Sequence, residues 1–319
     1  MSIGSRPGLS WRLRLGLVAL ALGVAAIAAF GGGYFVYVLN LTGIFALVAI
    51  GLALLTGFSG QISLGHAGFF AIGAYASALL AQRLGLPFWL AIPVAGAFAT
   101  AIGALIALPA LRLKNLYLAI ATLGFGIVTQ KMIFEWRSVT GGGGGLQVPT
   151  PMLFGLSLAD GARMTGVIAL ALAAGTWSAY KLAHGRTGRA LTMLRDSETA
   201  AGCTGIHVAR YKVVAFAVSA FYTAVAGGLY ANLVRYINPE SFNVNMSIMF
   251  LAMIVIGGMG SVGGALLGAA FYVIVPEALR GFKDAPGLIF GLSLMLVVIL
   301  LPGGLASLFR ARSKAAARA

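Results

Sequence analysis

The sequence predicts an all-α polytopic membrane protein of about ten transmembrane segments, some of them short or broken. Three observations carry this. Hydrophobic residues make up 60% of the 319 residues and charged residues only 9%, whereas soluble domains carry about 25% charge. The apolar runs are continuous and helix-length, and about 20 such residues cross the roughly 30 Å of bilayer hydrocarbon. A helix satisfies its own backbone polar groups there. An outer-membrane barrel would instead need short alternating strands with a polar face, and the runs here do not alternate.

The segments read in order as Leu15–Phe30, Tyr34–Leu55, Ile62–Ala81, Phe88–Leu108, Leu116–Phe134, Thr165–Leu182, Val213–Leu233, Ser247–Ile256, Val262–Val275 and Gly287–Leu301. The eighth and ninth are short. They are either one long broken helix or two half-helices around Gly257-Gly258-Met-Gly260-Ser-Val-Gly263-Gly264. Residues 1–14 form a cytoplasmic N-terminal tail, 15–305 the transmembrane domain with a polar cytoplasmic loop at 183–212, and 306–319 a basic C-terminal tail. Ala26-Ile-Ala28 has the form of a signal-peptide cleavage site. A further apolar segment follows after only Gly31-Gly-Gly33, so the first segment is expected to be retained.

Ten spans place both termini on one side. With the N-terminus inside, fifteen Lys and Arg lie on inner connections and seven on outer ones, as the positive-inside rule requires. Fusing the eighth and ninth segments gives thirteen against nine, a poorer fit. The net charge of +15 is thereby explained by loop topology, with no call for nucleic acid. The longest outer connection, Glu135 to Met164, carries Gly141 to Gly145 and two prolines and reads as a lid-like loop.

Polar residues cluster at few places. Gly57-Phe-Ser59-Gly60-Gln61-Ile-Ser63-Leu-Gly65-His66-Ala-Gly68 lies where one apolar segment gives way to the next. Polar groups at membrane depth need protein partners, and glycines permit close approach or a helix break. Broken helices recur where transporters bind or gate substrate. Gly60, Gln61, Ser63 and His66, with Gly257, Gly258 and Gly260, are therefore candidates for a helix break or translocation path; tight helix packing is the alternative. His66 has no second ligand at metal spacing, so no metal is expected. The outer run Arg235-Tyr-Ile-Asn238-Pro239-Glu240-Ser-Phe242 reads as a Pro-directed turn that could also meet a periplasmic partner. Cys203 is the single cysteine, which excludes an internal disulfide.

Residues 185–212 read GRTGRALTMLRDSETAAGCTGIHVARYK, the one long polar, basic stretch. No G-x-x-x-x-G-K-[ST] occurs anywhere: the glycine run at 141–145 is followed by Leu146, so the chain lacks a P-loop for ATP. No G-x-S-x-G or H-E-x-x-H is present, and seven acidic residues and three histidines leave no evident intramembrane catalytic site. No carboxylate sits clearly inside a span, as proton coupling usually requires; Glu277 is nearest, at a segment end.

The boxes GQISLGHAGFFAIGAYASALL, LRLKNLYL with ATLGFG after it, the 185–212 loop, and NPESFNV followed by GGMGSVGGALLGA occur in one order. Together they resemble the branched-chain amino acid ABC transporter permease family, LivM type, over residues 34 to 305. The resemblance implies an ABC importer permease architecture: a non-catalytic inner-membrane subunit working with a second permease, two ATPase subunits that use ATP and Mg, and a periplasmic binding protein. It implies a coupling loop at Glu198, Ala200, Ala201 and Gly205, flanked by Arg195 and Asp196. A helix around Thr192 to Ala201 is expected to lie in a groove of an ATPase, with Asp196 and Glu198 facing its cations and the two alanines allowing close packing. Gly202 is expected to end that helix near Ala201, since glycine costs about 1 kcal/mol in a helix interior. Relatives carrying urea or short-chain amides are the alternative within the family. A secondary transporter or channel is the alternative outside it.

Overall fold

A computed structural model describes residues 32–113, 115–153, 155–158, 161–279, 286–301 and 303–307. The expected first segment Leu15–Phe30, the N-terminal tail and the C-terminal tail beyond residue 307 lie outside the described residues.

The chain is a helical bundle. Its first described helix, α1 (Gly33–Leu52), passes into a π-helical turn at Ala53–Phe58. Then come α2 (His66–Leu84), α3 (Phe88–Ala110) and α4 (Asn115–Glu135). A connection follows that carries α5 (Arg137–Thr140), a 3₁₀ turn at Gly142–Gly144 and the two-residue strands β1 (Leu146–Gln147), β2 (Met152–Leu153) and β3 (Leu156–Ser157). Next are α6 (Gly161–His184), α7 (Arg186–Asp196), α8 (Glu198–Cys203) and α9 (Val208–Val234). The chain continues through β4 (Tyr236–Ile237), a 3₁₀ turn at Pro239–Ser241, α10 (Val244–Gly257), α11 (Val262–Ala278) and α12 (Pro286–Leu300). Six of these stretches are long and apolar enough to cross a membrane: Gly33–Phe58, Phe88–Ala110, Leu116–Glu135, Gly161–His184, Val208–Val234 and Pro239–Gly257. This is a multi-pass membrane protein.

Lipid tails are as apolar as leucine, so helices in a bilayer associate through close packing and small residues. The central contact shows this. α2 and α9 run side by side in the same direction, His66 beside Ser219 and Ser77 beside Gly228, with Gly73 against Ala224 and Gly227 against Phe70 and Ala74 between them. A Cβ on Gly73 or on Gly227 would fall onto a backbone carbonyl oxygen of the facing helix. α3 packs on the other side of α9 in the opposite sense, Gly96 against Phe221 and Val225, Gly103 against Ala220 and Phe216. α1 runs beside α6 through Gly43–Ile168 and Leu47–Gly175. An aromatic core of Phe45, Phe70, Phe250, Phe242, Tyr230 and Tyr75 fills the space between α1, α2, α9 and α10, with neighbouring centroids 5.3–6.4 Å apart.

The two ends of the bundle differ. One carries the break after Phe58, residues 111–113, the α7–α8 loop and the turn at 258–261; Leu55, Ala110, Leu118, Leu191 and Phe216 pack together there. The other end is capped. β1 pairs antiparallel with β4, and Tyr236 Oη donates to the Gly144 carbonyl at 2.8 Å. Arg83 reaches the carbonyls of Ser138 and Val139 at 2.8 and 3.1 Å. Of the ordered and mobile forms open to the lid-like connection, its described residues take the ordered one.

Of the two arrangements expected for the eighth and ninth segments, one long broken helix does not form; two short helices flank the glycine box. α10 and α11 form an antiparallel hairpin, Gly257 facing Gly264 and Gly268 facing Met253. Its turn needs Gly258 at φ 110° and Gly260 at φ 80°, and Ser261 Oγ caps α11 by accepting from Gly264 N at 3.2 Å. Glycine adopts these angles without the steric cost of a Cβ.

Candidate functional site

The first candidate region is the break between α1 and α2. The π turn brings α1 to a stop in which Gly60 N donates to Thr56 O at 3.1 Å and Gln61 N to Leu55 O at 3.3 Å. Gly60 takes φ 74°, the left-handed stop that usually selects glycine. Residues 60–65 then run non-helically back into the bundle, and α2 begins only at His66. His66 Nε2 lies 2.7 Å from Ser219 Oγ, which sits eleven residues into α9, about 16 Å from its start. The N-terminus of α2 is therefore inside the bundle, where its free N–H groups must find protein partners.

They do. Leu64 N donates to Thr122 Oγ1 at 3.0 Å, Gly65 N to Ser63 Oγ at 3.4 Å and Ala67 N to Ser247 Oγ at 3.0 Å. Ser63 Oγ is also 3.1 Å from His66 Nδ1. One polar junction thus ties α2 to α4, α9 and α10. His66 and Ser63 are fully buried, and Gln61 is nearly so. Gln61 Nε2 donates to Ser59 Oγ at 3.1 Å, while its Oε1 has no partner among the described residues. Sequence reading singled out Gln61, Ser63 and His66 but missed Thr122, Ser219 and Ser247. Their signal was polarity within an apolar segment, which is informative at membrane depth. Removing the hydroxyl in Ser219→Ala leaves a ring nitrogen of the fully buried His66 unpaired. The expected cost is about 1–3 kcal/mol, read as a lower thermal unfolding midpoint of the detergent-purified protein.

The second region is the polar loop. The single helix expected at Thr192 to Ala201 is two helices. Ser197 is extended at φ −163°, ψ 115°, which ends α7, and its Oγ caps α8 by accepting from Ala200 N at 3.2 Å. Serine favours this role because its short side chain reaches the free N–H groups of the first turn. α8 continues past Ala201 to Cys203. Gly205 at φ 82° closes it, with Ile206 N bonded to Ala201 O and Gly205 N to Gly202 O, both at 3.1 Å. This is a Schellman stop, so Gly205, not Gly202, ends the helix.

α7 buries Gly188, Ala190, Leu191 and Leu194 against the bundle and exposes Arg186, Arg189 and Met193. The two alanines face opposite ways: Ala201 is fully buried and Ala200 is exposed. The acidic residues expected to face a partner are engaged within the chain. Asp196 Oδ1 pairs with Arg195 at 3.1 Å. Glu198 Oε1 pairs at 2.7 Å with Lys212 Nζ, whose side chain is only 3% exposed, while Glu198 keeps 38% of its own exposure. Lys212, at the start of α9, closes the loop onto the bundle through this pair.

The two regions meet. Arg195 Nη1 donates to Gly57 O at 3.0 Å, and Gly57 and Gly260 touch backbone to backbone beside it. Arg195, Gly60 and Gly260, far apart in sequence, converge at one point; Ser63 and His66 belong to the deeper junction, and Gln61 bonds to the end of α1 between the two. Among the described residues no group of three or more His, Cys, Asp or Glu is placed to hold a metal.

Residues 34–302 match the family model described as branched-chain amino acid transport system / permease component. The chain belongs to this family. It is 37% identical over 299 residues to the high-affinity branched-chain amino acid transport system permease protein LivM of Escherichia coli K12, covering 86% of this chain and 70% of that one. Identity to LivM of Salmonella typhimurium is 36% over the same shares. The S. typhimurium permease protein LivH is 28% identical over 82% of this chain and 90% of its own. These branched-chain permease relatives span both regions described above.

Proposed function

We propose that this chain is the membrane subunit of an ATP-driven importer of branched-chain amino acids. In this reading it pairs with a second permease subunit and is driven by two ATPase subunits that bind ATP and Mg, while a periplasmic protein delivers the solute. The chain itself performs no hydrolysis. Residues 15–305 cross the inner membrane ten times, with both termini and the 183–212 loop in the cytoplasm, and the capped end facing the periplasm.

The observation that carries the mechanism is the anchorage of the α7–α8 loop. It projects a basic, partly apolar face outward while Arg195 and Glu198 fasten it to α1 and α9. A loop held this way passes a push from an ATPase into the bundle, where a free loop would absorb it. The rigid polar junction at His66 then moves with α2, α4, α9 and α10 as one body, and access alternates between the two faces. The substrate follows from the family and its LivM and LivH relatives.

The test is uptake of labelled leucine, isoleucine, valine and urea into proteoliposomes holding all five kinds of subunit, with and without ATP on the ATPase side. ATP-dependent, vanadate-sensitive uptake of the three branched amino acids is expected. Uptake of urea alone would replace the substrate and keep the mechanism. Uptake by this chain alone without ATP would overturn the reading.

A further inference from the structure

We propose that Arg195 is a positioning residue that ties the loop to both glycine breaks at once, so that displacement of the loop moves the end of α1 and the α10–α11 turn together. The proposal rests on the importer reading above and adds to it the residue through which motion enters the bundle.

Four observations converge on this side chain. The first is the carbonyl it caps. At the end of α1, Leu55 O and Thr56 O are taken by Gln61 N and Gly60 N. Gly57 O accepts the Nη1 donor of Arg195 at 3.0 Å. A cation suits this place, because the C-terminal carbonyls of a helix carry partial negative charge. The second is aim. Asp196 Oδ1 accepts from both Nε at 3.2 Å and Nη2 at 3.1 Å, which holds the planar guanidinium with Nη1 turned to the carbonyl. Lysine, whose three donors share one rotatable nitrogen, cannot reproduce that planar geometry.

The third is the seat. Two glycines leave room for this side chain, and a third lets the two breaks meet. A Cβ on Gly60 would lie 2.8 Å from Arg195 Cγ, and one on Gly260 would lie 3.3 Å from Arg195 Nη1 and from Gly57 O. A Cβ on Gly57 would press on the backbone of Gly260. The fourth is the neighbouring π turn at Ala53–Phe58, a winding that recurs at functional positions in helices. It is the deformable piece adjoining the bonded carbonyl. Arg195 is thus bonded to the end of α1 and lies beside the α10–α11 turn, whose Gly260 packs directly on Gly57.

The experiment uses the complete complex in proteoliposomes and reads substrate transported per ATP hydrolysed. Arg195→Ala is expected to lower that ratio about tenfold or more, within the range of site-to-site coupling in proteins. Arg195→Lys should give an intermediate ratio, because it restores charge without the fork. A second readout applies to the wild-type side chain itself. With Cys203→Ser as background, spin labels replace the exposed Met193 on α7 and Met259 in the turn. Their separation is expected to stay the same in nucleotide-free and vanadate-trapped states. An unchanged transport ratio in Arg195→Ala, or a label separation that changes between states with Arg195 in place, overturns the proposal. A wild-type complex without ATP-dependent uptake would instead overturn the importer reading.

Discussion

Glu198→Lys is expected to abolish ATP-driven uptake. The substitution sets a second ammonium against Lys212 Nζ, which now lies 2.7 Å from a carboxylate oxygen in a site where the lysine is almost fully buried. Removing one partner of a buried ion pair costs about 3–5 kcal/mol, and the third of Glu198 that remains exposed to solvent places this pair toward the lower figure. Reversal adds like-charge repulsion. The local consequence is release of α8 from the start of α9, and with it loss of a rigid loop. Glu198→Gln, which keeps a hydrogen-bond acceptor, should do less harm. The swap Glu198→Lys with Lys212→Glu should recover part of the transport, because it restores the attraction with the charges exchanged. Transport assays of the three variants in one reconstituted complex decide the matter. Wild-type uptake by Glu198→Lys would show that the ion pair is dispensable.

Gly227→Val is expected to prevent the bundle from closing. A Cβ at this position falls onto the carbonyl oxygen of Phe70 and lies 3.1 Å from the backbone nitrogen of Ala74. Overpacking that flexible side chains can relieve costs about 1–3 kcal/mol. Here the obstacle is the backbone of the facing helix, so relief needs the helices to move apart and the cost exceeds that range. The expected result is loss of the folded, detergent-extractable chain. Gly166→Ala in α6 is the control. Nothing lies within 4 Å of its added Cβ, and the unfolding midpoint should not fall. Equal behaviour of the two variants would contradict the packing described for α2 and α9.

Much of this fold is legible in the sequence because apolar length and loop charge are strong, local signals. The nine described apolar helices sit where the second to tenth hydrophobic runs place them, to within several residues at the ends. The glycine boxes around Gly60 and Gly260 are legible as breaks, since left-handed backbone selects glycine. What each break does is not legible. A short α10 and a short α11 read equally well as a broken span until Gly257 and Gly268 are seen packed across the hairpin. The loop shows the same limit. Charged residues suggested outward recognition by Asp196 and Glu198, yet each is held by a cation of its own chain. Sequence spacing cannot reveal that Lys212, fourteen residues on, returns to Glu198 once α9 starts. The polar junction around His66 draws Thr122, Ser219 and Ser247 from three other helices. Only tertiary structure brings together groups of such wide separation.

The single native cysteine offers the most direct test of the account. Cys203 is exposed at the end of α8, on the loop proposed to meet an ATPase. A photoactivated cross-linker attached to Cys203 in the complete, membrane-reconstituted complex reports what lies against that loop. The expected result is a cross-linked product containing an ATPase subunit, with a yield that changes between nucleotide-free and vanadate-trapped states. A product containing the periplasmic binding protein, or no product with any ATPase in either state, would contradict it.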